Sequence, residues 1–481
     1  MKDSSYGAVI GGIFLVTIQH TELKEGIQKA IAKAKNLEKP VLVSEVQKVD
    51  QVEPLNVFTA GHQDYFGERF FWKGSSDEIF IIGIGICEHI QSDQVTDRFF
   101  HVEKQWKNVM EEAVVLNPYG LEGTGPTMFG GFSFDPLKEK TELWSKFSDS
   151  IFHIPRFMYS QYDGQSYMTT NIVCTQHDDE SLLQKVLNER KQLLSCSSSL
   201  QDSANNIISQ EEIAPQQWKN AVGQVVNAMK NGDMKKVVLA RETRLSYEKP
   251  IRIESVLNKL IKNQKNSFIF AFESNGDCFI GASPERLVKK QGKQLFTTCL
   301  AGSIKRGLTP DEDEQLGNEL LSDQKNLIEH QYVVDMIKRA MEQVSSNVEL
   351  PNGPVLLKLR DIQHLYTPVT AEAGENSSLL SLIERLHPTP ALGGVPREKA
   401  VETIRELEAL DRGLYGSPLG WLDYKGNGDF AVALRSGLIQ QNEASIFAGC
   451  GVVKDSDIDS EYQETNIKFR PMLTALGGNK Q

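Results

Sequence analysis

The sequence lacks the cysteine and histidine spacings that mark metal sites or disulfide-rich domains. Its 481 residues include six cysteines without a C-x-x-C pair and nine histidines without an H-x-x-x-H pair. The cysteines are scattered along the chain, at Cys87, Cys174, Cys196, Cys278, Cys299 and Cys450. Scattered cysteines are typical of reduced thiols in a cytosolic protein. The sequence therefore predicts a cytoplasmic location and no disulfide framework.

Positive charge and long apolar runs are also scarce. The chain carries 52 Lys and Arg against 64 Asp and Glu, a net charge of -12. This net charge argues against nucleic-acid binding, because phosphate contacts need a basic face. The apolar run at residues 8–18 (AVIGGIFLVTI) is too short to span a bilayer, and no cleavage site follows it. This run is predicted to be a strand or an irregular start of the chain.

What is present is the composition of a soluble globular protein, with 40% hydrophobic and 24% charged residues. The length allows one large core or two lobes. The segment 196–214 is polar and rich in Ser and Asn, which is typical of a boundary or linker. It separates residues 1–205 from residues 206–481.

Strand signals after this segment come as hairpins rather than alternating with helices. The runs 268–273 and 278–282 flank Asn275 and Gly276, and Asn-Gly is the strongest short hairpin signal. Residues 430–439 and 445–453 form another pair, while residues 312–344 are predicted to be one long helix. Hairpins indicate a mainly antiparallel sheet, which favours an α+β fold over a doubly wound nucleotide fold.

Lys236 and Glu285 both stand at strand ends, where catalytic side chains are often held. Lys236 opens the apolar strand 237–247, directly after a helical pattern that ends at Asn231 and Gly232. Glu285 follows a strand at a proline turn. The alternatives are a solvated lysine and a surface ion pair between Glu285 and Arg286.

Two further charged residues fall in apolar surroundings. Glu329 shares a helix face with Tyr332 and Val333, and a carboxylate there is costly to bury unless it is paired or bound to a metal. Arg435 interrupts an apolar strand. Bidentate recognition of a carboxylate would explain this arginine, and so would an internal ion pair.

Glu461, Glu464 and Lys468 are spaced i, i+3 and i+7, which places them on one helix face. One alternative is a solvated Glu–Lys pair. The other is a metal site, because two carboxylates here and a third from Glu329 would suit Mg²⁺, which takes a few oxygen ligands and keeps water in its other positions.

Taken together, these motifs resemble the chorismate-utilising enzymes, a family that includes anthranilate, aminodeoxychorismate, salicylate and isochorismate synthases. The matching segments, in the family's order, are KVVLAR at 236–241, GASPERL at 281–287, LAGS at 300–303, KNLIEH at 325–330, HPTPALGG at 387–394, VALRSG at 432–437, AGCGVV at 448–453 and EYQETNIK at 461–468. The resemblance covers about residues 215–475. It implies two large, facing, mainly antiparallel sheets with helices outside and the site between them. Residues 206–481 are then the chorismate-binding catalytic region, and residues 1–205 the N-terminal part of the same α+β body, with residues 1–14 a possible extension.

Within the family, the resemblance points to an isochorismate synthase. Lys236 matches the position that separates members that add water from the anthranilate synthases, which carry glutamine there. The segment HPTPAL, which contains Ala391, resembles that of isochorismate synthases, whereas members that eliminate pyruvate usually carry threonine at this position. The long N-terminal half is similar to the menaquinone-pathway enzymes. No glutaminase subunit is expected.

The implied reaction, chorismate to isochorismate, adds water at C2 while the C4 hydroxyl leaves, so a base and an acid must flank the ring. By resemblance, Lys236 is the base and Glu285 is the acid. Both roles oppose the ordinary pKa values of the two side chains. The site is therefore predicted to lower the lysine pKa and to raise the glutamate pKa.

The resemblance also implies the groups that hold substrate and metal. Mg²⁺ is assigned to Glu329 and Glu464, with Glu461 nearby or acting through water. The substrate is assigned to Gly302, Ala391, Arg435, Gly449, Gly451 and Lys468, the glycines allowing close approach of backbone N–H groups. His387 is predicted to be structural or lining rather than a base.

Four alternatives remain open at this point. The chain could be an isochorismate synthase for siderophore or salicylate biosynthesis, a salicylate synthase, an ammonia-using synthase, or a catalytically dead partner in a menaquinone assembly. Ala391 speaks against the second and Lys236 against the third. Chorismate is the expected small-molecule partner, with a possible association with the next menaquinone-pathway enzyme.

Overall fold

The computed structural model describes residues 7–76, 79–179, 181–195, 205–232, 234–374 and 377–478. Its helices are α1 (Gly7–Leu37), α2 (Pro54–Ala60), α3 (Arg98–Glu111), α4 (Ser181–Ser195), α5 (Pro215–Lys230), α6 (Ile253–Asn263), α7 (Pro310–Ser322), α8 (Gln324–Glu342), α9 (Leu379–Leu386), α10 (Arg397–Leu407) and α11 (Ile458–Leu476). Its strands are β1 (Val41–Val49), β2 (Arg69–Lys73), β3 (Ile79–Ser92), β4 (Val114–Leu116), β5 (Thr127–Phe132), β6 (Ser150–Tyr162), β7 (Gln165–Cys174), β8 (Ile207–Glu212), β9 (Lys236–Tyr247), β10 (Phe268–Ser274), β11 (Asp277–Ser283), β12 (Arg286–Gln291), β13 (Gln294–Lys305), β14 (Ser345–Glu349), β15 (Val355–Lys358), β16 (Ile362–Ala373), β17 (Gly394–Val395), β18 (Pro418–Asp423), β19 (Gly428–Val432), β20 (Ser436–Gln440) and β21 (Glu443–Val452). None of the helices described is long and apolar enough to cross a membrane.

The strands form one hydrogen-bonded network in which two long branches and a short arm, β7-β1-β4, meet at β6. One branch runs β3-β2-β10-β11-β20-β21-β9-β8, and the other runs β5-β18-β19-β12-β13-β16. Strand β6 pairs with both β3 and β5. Among the described ladders, the pairing of β1 with β4 is parallel and the rest are antiparallel. The predicted α+β fold is confirmed, and its two sheets are branches of one network.

Aromatic side chains pack between the two branches. Phe129 of β5 stacks on Phe70 of β2, with ring centroids 4.4 Å apart, and lies edge-on to Trp72 and Phe272. The outer face of the first branch carries α2, α6 and α11, and that of the second carries α8 and α9. Successive side chains of a strand point to opposite faces of the sheet. Strands covered by aromatic side chains on one face and by helices on the other are therefore buried on both faces.

The chain crosses from one branch to the other at two adjacent places. Residues 284–285 connect β11 to β12, and residues 433–435 connect β19 to β20. The crossings are hydrogen-bonded together, because Val432 N donates to the Glu285 carbonyl and Ala282 N donates to the Arg435 carbonyl. The predicted single strand at 430–439 is therefore wrong. The chain bends there to change sheets, and Arg435 takes a left-handed conformation with φ of 50°.

The predicted single helix at 312–344 is also two helices. It breaks at Asp323, whose side chain accepts hydrogen bonds from the backbone N–H groups of Lys325 and Asn326. Asp is among the best N-cap residues because its side chain satisfies such unpaired donors. The break directs α8 toward β13 and the site.

Two predictions for other segments need correction. Residues 8–18 lie in α1 rather than in a strand, because a short apolar run does not distinguish the two by periodicity. Within the predicted linker 196–214, residues 196–204 lie outside the described residues, and β8 pairs with β9.

Candidate active site

One pocket lies beside the two crossings, between β9, β13, β21, α8 and α11. It encloses about 770 Å³, counting the part open to solvent. All eleven of the predicted site residues line it: Lys236, Glu285, Gly302, Glu329, Ala391, Arg435, Gly449, Gly451, Glu461, Glu464 and Lys468. Concave sites lined by a few convergent polar groups are typical of small-molecule binding. The structure thus brings together residues that are up to 232 positions apart.

Lys236 reaches this pocket from the first position of β9. Its side chain is buried, and its Nζ donates to Glu329 Oε1 at 2.7 Å. Strand β21 runs alongside, with Gly451 paired to Val238. A Cβ on Gly451 would lie 2.9 Å from both Glu329 Oε1 and Lys236 Cε. The missing side chain at residue 451 therefore makes room for the Lys236–Glu329 pair.

Glu285 lies at the crossing between β11 and β12 and is 2% exposed. Burial raises the pKa of its carboxyl to about 8, against the opposing charges of Lys236, Arg435 and Lys468. Glu285 is therefore mostly protonated at neutral pH. The alternative of a surface ion pair with the next residue is wrong, because Arg286 instead binds Asp429.

Arg435 is buried at the second crossing, and three residues near it were missed by the sequence analysis. Its Nη2 lies 3.5 Å from His364 Nε2, and His364 Nδ1 lies 2.8 Å from Ser303 Oγ. Burial and the charge of Arg435 hold the pKa of His364 well below its ordinary value, so this imidazole is neutral. Tyr415 also lines the pocket. His364 could have been noticed in the sequence, because it is a histidine among the alternating apolar residues of β16.

The acidic residues of the pocket each lie near a lysine. Lys468 Nζ is 2.6 Å from Glu464 Oε1 and donates to the Gly449 carbonyl at 3.0 Å, while Lys325 Nζ is 3.7 Å from Glu461. The predicted i,i+4 pair thus forms, but inside the pocket rather than on an exposed surface. Burial alone would raise the pKa of Glu464, but the charges of Lys468 and its neighbours outweigh burial and hold this pKa below its ordinary value.

The carboxylates provide oxygen ligands suited to a hard cation such as Mg²⁺. Burial, and next the charge of Glu464, raise the pKa of Glu461, so a cation between these two groups would relieve an unfavourable arrangement. Across the described part of the chain, no three or more His, Cys, Asp or Glu side chains lie together in an arrangement that could hold a metal ion. Glu329 and Glu464 are turned toward lysines instead. The donors therefore fit the cation chemically, and its binding would require these ion pairs to open.

His387 lies outside the pocket lining. Its Nε2 is 3.1 Å from the Phe134 carbonyl, and its ring packs edge-on against that of Phe134. Burial lowers its pKa to about 3, so the ring is neutral. These contacts agree with a structural role for His387.

Comparison with known proteins extends the resemblance to nearly the whole chain. A family model described as chorismate binding enzyme matches residues 28–477. The chain belongs to this family. It is 42% identical over 472 residues to the isochorismate synthase MenF of Bacillus subtilis, covering 97% of this chain and 100% of that protein. It is 35% identical over 465 residues to a salicylate biosynthesis isochorismate synthase of Pseudomonas aeruginosa, covering 95% of each.

Solved structures of an isochorismate synthase and of an anthranilate synthase component share the fold. The menaquinone-specific isochorismate synthase MenF of Escherichia coli has a TM-score of 0.76 at 22% identity, covering 94% of this chain and 100% of that chain. Anthranilate synthase component I of Streptococcus pneumoniae has a TM-score of 0.68 at 22% identity, covering 82% of this chain and 92% of that chain. At this identity the similarity establishes the fold.

Proposed function

We propose that the protein is an isochorismate synthase that interconverts chorismate and isochorismate. The observation that carries the proposal is the buried Glu285, protonated at neutral pH, in one pocket with Lys236 and with the cations Arg435 and Lys468. Proteins named as isochorismate synthases match the chain over nearly its full length at 42% and 35% identity. The chemistry of the pocket and these similarities lead to the same reaction.

In this proposal, Glu285 is the general acid and Lys236 the general base. Water attacks C2 of chorismate and gives a proton to Lys236, the ring double bonds shift, and the C4 hydroxyl leaves as water with the proton of Glu285. A base role requires an uncharged amine, so Lys236, whose Nζ lies 2.7 Å from Glu329 Oε1, must give up a proton before it can accept one from water. Glu285 already holds the proton that it must donate.

The two carboxylates of chorismate need positive partners, since the chain as a whole carries a net charge of -12. Arg435 and Lys468 are assigned to carboxylate oxygens, and backbone N–H groups at Gly302, Gly449 and Gly451 are available where side chains are missing. Ala391 lines the pocket beside Leu392. A small side chain there leaves room for the substrate.

Glu329 and Glu464, with Glu461 nearby, are the residues that would hold Mg²⁺. When bound, the ion would orient the ring carboxylate and neutralise part of its charge. Carboxylate oxygens are the ligands Mg²⁺ prefers, and it usually keeps several waters. Glu329 thus serves two neighbours, Lys236 and the ion.

The menaquinone pathway is the proposed setting, with the protein working in the cytoplasm. Two of the similar proteins, from Bacillus subtilis and Escherichia coli, are MenF enzymes. The salicylate biosynthesis relative, at 35% identity, keeps open a role in salicylate or siderophore synthesis. The five described cysteines are free, as expected for reduced thiols. Association with the next enzyme of the menaquinone pathway is part of this proposal.

Product analysis tests the reaction. Purified protein is incubated with chorismate and Mg²⁺ without ammonia, beside a metal-free control, and the products are separated by chromatography. Isochorismate as the product, formed only with Mg²⁺, is expected. Salicylate with pyruvate would contradict the inference from Ala391, and the absence of any product would contradict the proposal itself.

The pH dependence of turnover should follow the carboxyl of Glu285. Because the protonated form is the active one, kcat/KM is expected to fall as pH rises through about 8. Bound chorismate adds two negative charges near Glu285, which raises its pKa further. The alkaline limb of kcat should therefore lie at higher pH than that of kcat/KM. Initial rates across the pH range measure both limbs, and a limb that survives in Glu285→Gln would belong to another group.

Glu329→Gln is expected to weaken Mg²⁺ binding by about 10-fold or more, because an amide is a poorer ligand than a carboxylate. Isothermal titration of the protein with Mg²⁺ measures this directly, without relying on turnover. Glu342→Gln is the matched control, since Glu342 lies on the same helix but is exposed beside Lys338. Equal Mg²⁺ affinity in wild type and Glu329→Gln would remove Glu329 from the ion site.

Gly451→Ala is expected to lower kcat by about 10-fold or more, because its Cβ would displace Lys236 and Glu329. Its Tm should change little, since the displaced atoms are ends of flexible side chains. Gly353→Ala is the control, as nothing lies within 4 Å of its added Cβ. Steady-state rates and thermal denaturation measure both effects. An unchanged kcat in Gly451→Ala would show that the pair tolerates displacement.

A further inference from the structure

A buried ion pair outside the pocket contacts several of the pocket's walls. Arg412 binds Glu408 through two hydrogen bonds, Nε to Oε2 at 2.9 Å and Nη2 to Oε1 at 2.5 Å. Both residues are almost fully buried in the connection between α10 and β18. Neither residue lines the pocket.

This pair takes the place of a neighbouring strand along one edge of β9. On that edge, β17 pairs with Lys236 and Val237, and β8 pairs farther along. In the gap between β17 and β8, Ala240 N donates to Glu408 Oε1 at 2.7 Å, and Arg412 Nη2 donates to the Val238 carbonyl at 2.8 Å. On this edge, the backbone at residues 238–240 is therefore held by two side chains, whereas its opposite edge pairs with β21.

Arg412 also contacts two other walls. Its Nη1 donates to the Leu392 carbonyl at 3.1 Å, and Leu392 follows Ala391 in the pocket lining. Its own carbonyl accepts from Tyr415 N at 2.7 Å. One residue thus fixes the distances between β9, the turn at 391–392 and Tyr415.

We infer that the Glu408–Arg412 pair is a positioning device that holds Lys236 in register with the opposite wall of the active site. A buried ion pair is costly to desolvate, and packed apolar residues often stabilise a fold as well or better. The contribution of the pair here is geometric. Arg412 supplies a donor and Glu408 an acceptor, at fixed spacing, to the part of the β9 edge that has no strand beside it. Misplacing a catalytic group by about 1 Å can cost 10²-fold in rate.

The expected effect of breaking the pair is a loss of kcat with little change in KM. Arg412→Ala is expected to lower kcat for isochorismate formation by about 10- to 100-fold and to change KM by less than about 3-fold. Guanidinium added at low, non-denaturing concentration should restore part of this kcat by refilling the site beside Glu408. Arg412→Lys and Glu408→Gln, which keep part of the contacts, should lose less, and they serve if the alanine variant does not fold.

Arg69 provides the matched control. It forms a buried ion pair with Glu254 at 2.8 Å and with Glu273 at 2.6 Å, and none of the three lines the pocket. Arg69→Ala should lower the Tm without a comparable loss of kcat at a temperature where the protein stays folded, and guanidinium should not raise its kcat. A normal kcat in folded Arg412→Ala, or an equal loss of kcat in both variants, would overturn the inference.

The inference rests on the proposed function, because its readout is turnover of chorismate. Wild-type turnover measured in parallel separates the two. If the wild type makes no isochorismate, the proposed function fails. If the wild type is active and folded Arg412→Ala keeps its kcat, or if Arg412→Lys and Glu408→Gln both keep it where the alanine variant does not fold, the positioning role alone fails.

Discussion

Replacing Lys236 by alanine is expected to lower kcat for isochorismate formation by about 10²- to 10⁴-fold, the usual contribution of a general base. Chorismate should still bind, since its carboxylates are assigned to Arg435 and Lys468 and not to Lys236. Steady-state rates give kcat, and equilibrium titration with chorismate gives the affinity. A fall in kcat with retained affinity is the pattern of an interaction made only in the transition state.

Lys235→Ala is the matched control for this variant. Lys235 is the adjacent residue but is exposed, and its Nζ lies 5.6 Å from the centre of the Tyr332 ring. Its removal should leave kcat near the wild-type value. Near-normal turnover in Lys236→Ala would remove Lys236 from the role of base, and equal losses in both variants would point to a disturbed start of β9.

Glu285→Gln is expected to cause a loss of similar size, about 10²- to 10⁴-fold in kcat, because an amide of the same shape cannot supply the proton to the C4 hydroxyl. Chorismate affinity should be retained or increased, since an ionisable carboxyl that could oppose the substrate's negative charge is removed. Rates and equilibrium titration measure the two effects. Turnover close to wild type would exclude Glu285 as the acid.

Thermal stability gives a second readout for Glu285 that does not depend on turnover. Its pKa is about 8 in the folded protein and near 4.5 when exposed, so between these values the folded state binds more protons than the unfolded state. The free energy of unfolding therefore decreases as pH rises through this window. Glu285→Gln removes this term, so its Tm relative to wild type should increase from pH 5 to pH 9. A constant difference would mean that Glu285 is not held protonated.

The site residues could be proposed from the sequence because they occur in short motifs that resemble those of the chorismate-utilising enzymes. Glu329 is an acidic residue on an apolar helix face. The i, i+3 and i+7 spacing of Glu461, Glu464 and Lys468 places these three side chains on one helix face. Such local patterns persist whatever the tertiary fold. The hairpin at Asn275 was predictable for the same reason, because an Asn-Gly turn is specified by two residues.

The parts that were missed depend on contacts between distant residues. Arg435 and His364 are 71 positions apart, and a strand-breaking bend at Arg435 follows from the change of sheet, which no local pattern reveals. The Glu408–Arg412 pair looks like an ordinary i,i+4 pair on a helix face, and its importance depends on the gap beside β9. The short apolar run in α1 was ambiguous between helix and strand from the outset.

The most direct test of the account is to follow the oxygen atoms of the reaction in H₂¹⁸O. Water attack at C2 with departure of the C4 hydroxyl must place solvent oxygen at C2 of isochorismate, because that bond forms anew. Mass spectrometry of isochorismate isolated early in the reaction, with fragmentation to locate the label, should find one heavy oxygen at C2. Isochorismate without the label would mean that the C4 hydroxyl is transferred within the substrate, and it would contradict the assignment of Lys236 as the base that activates water.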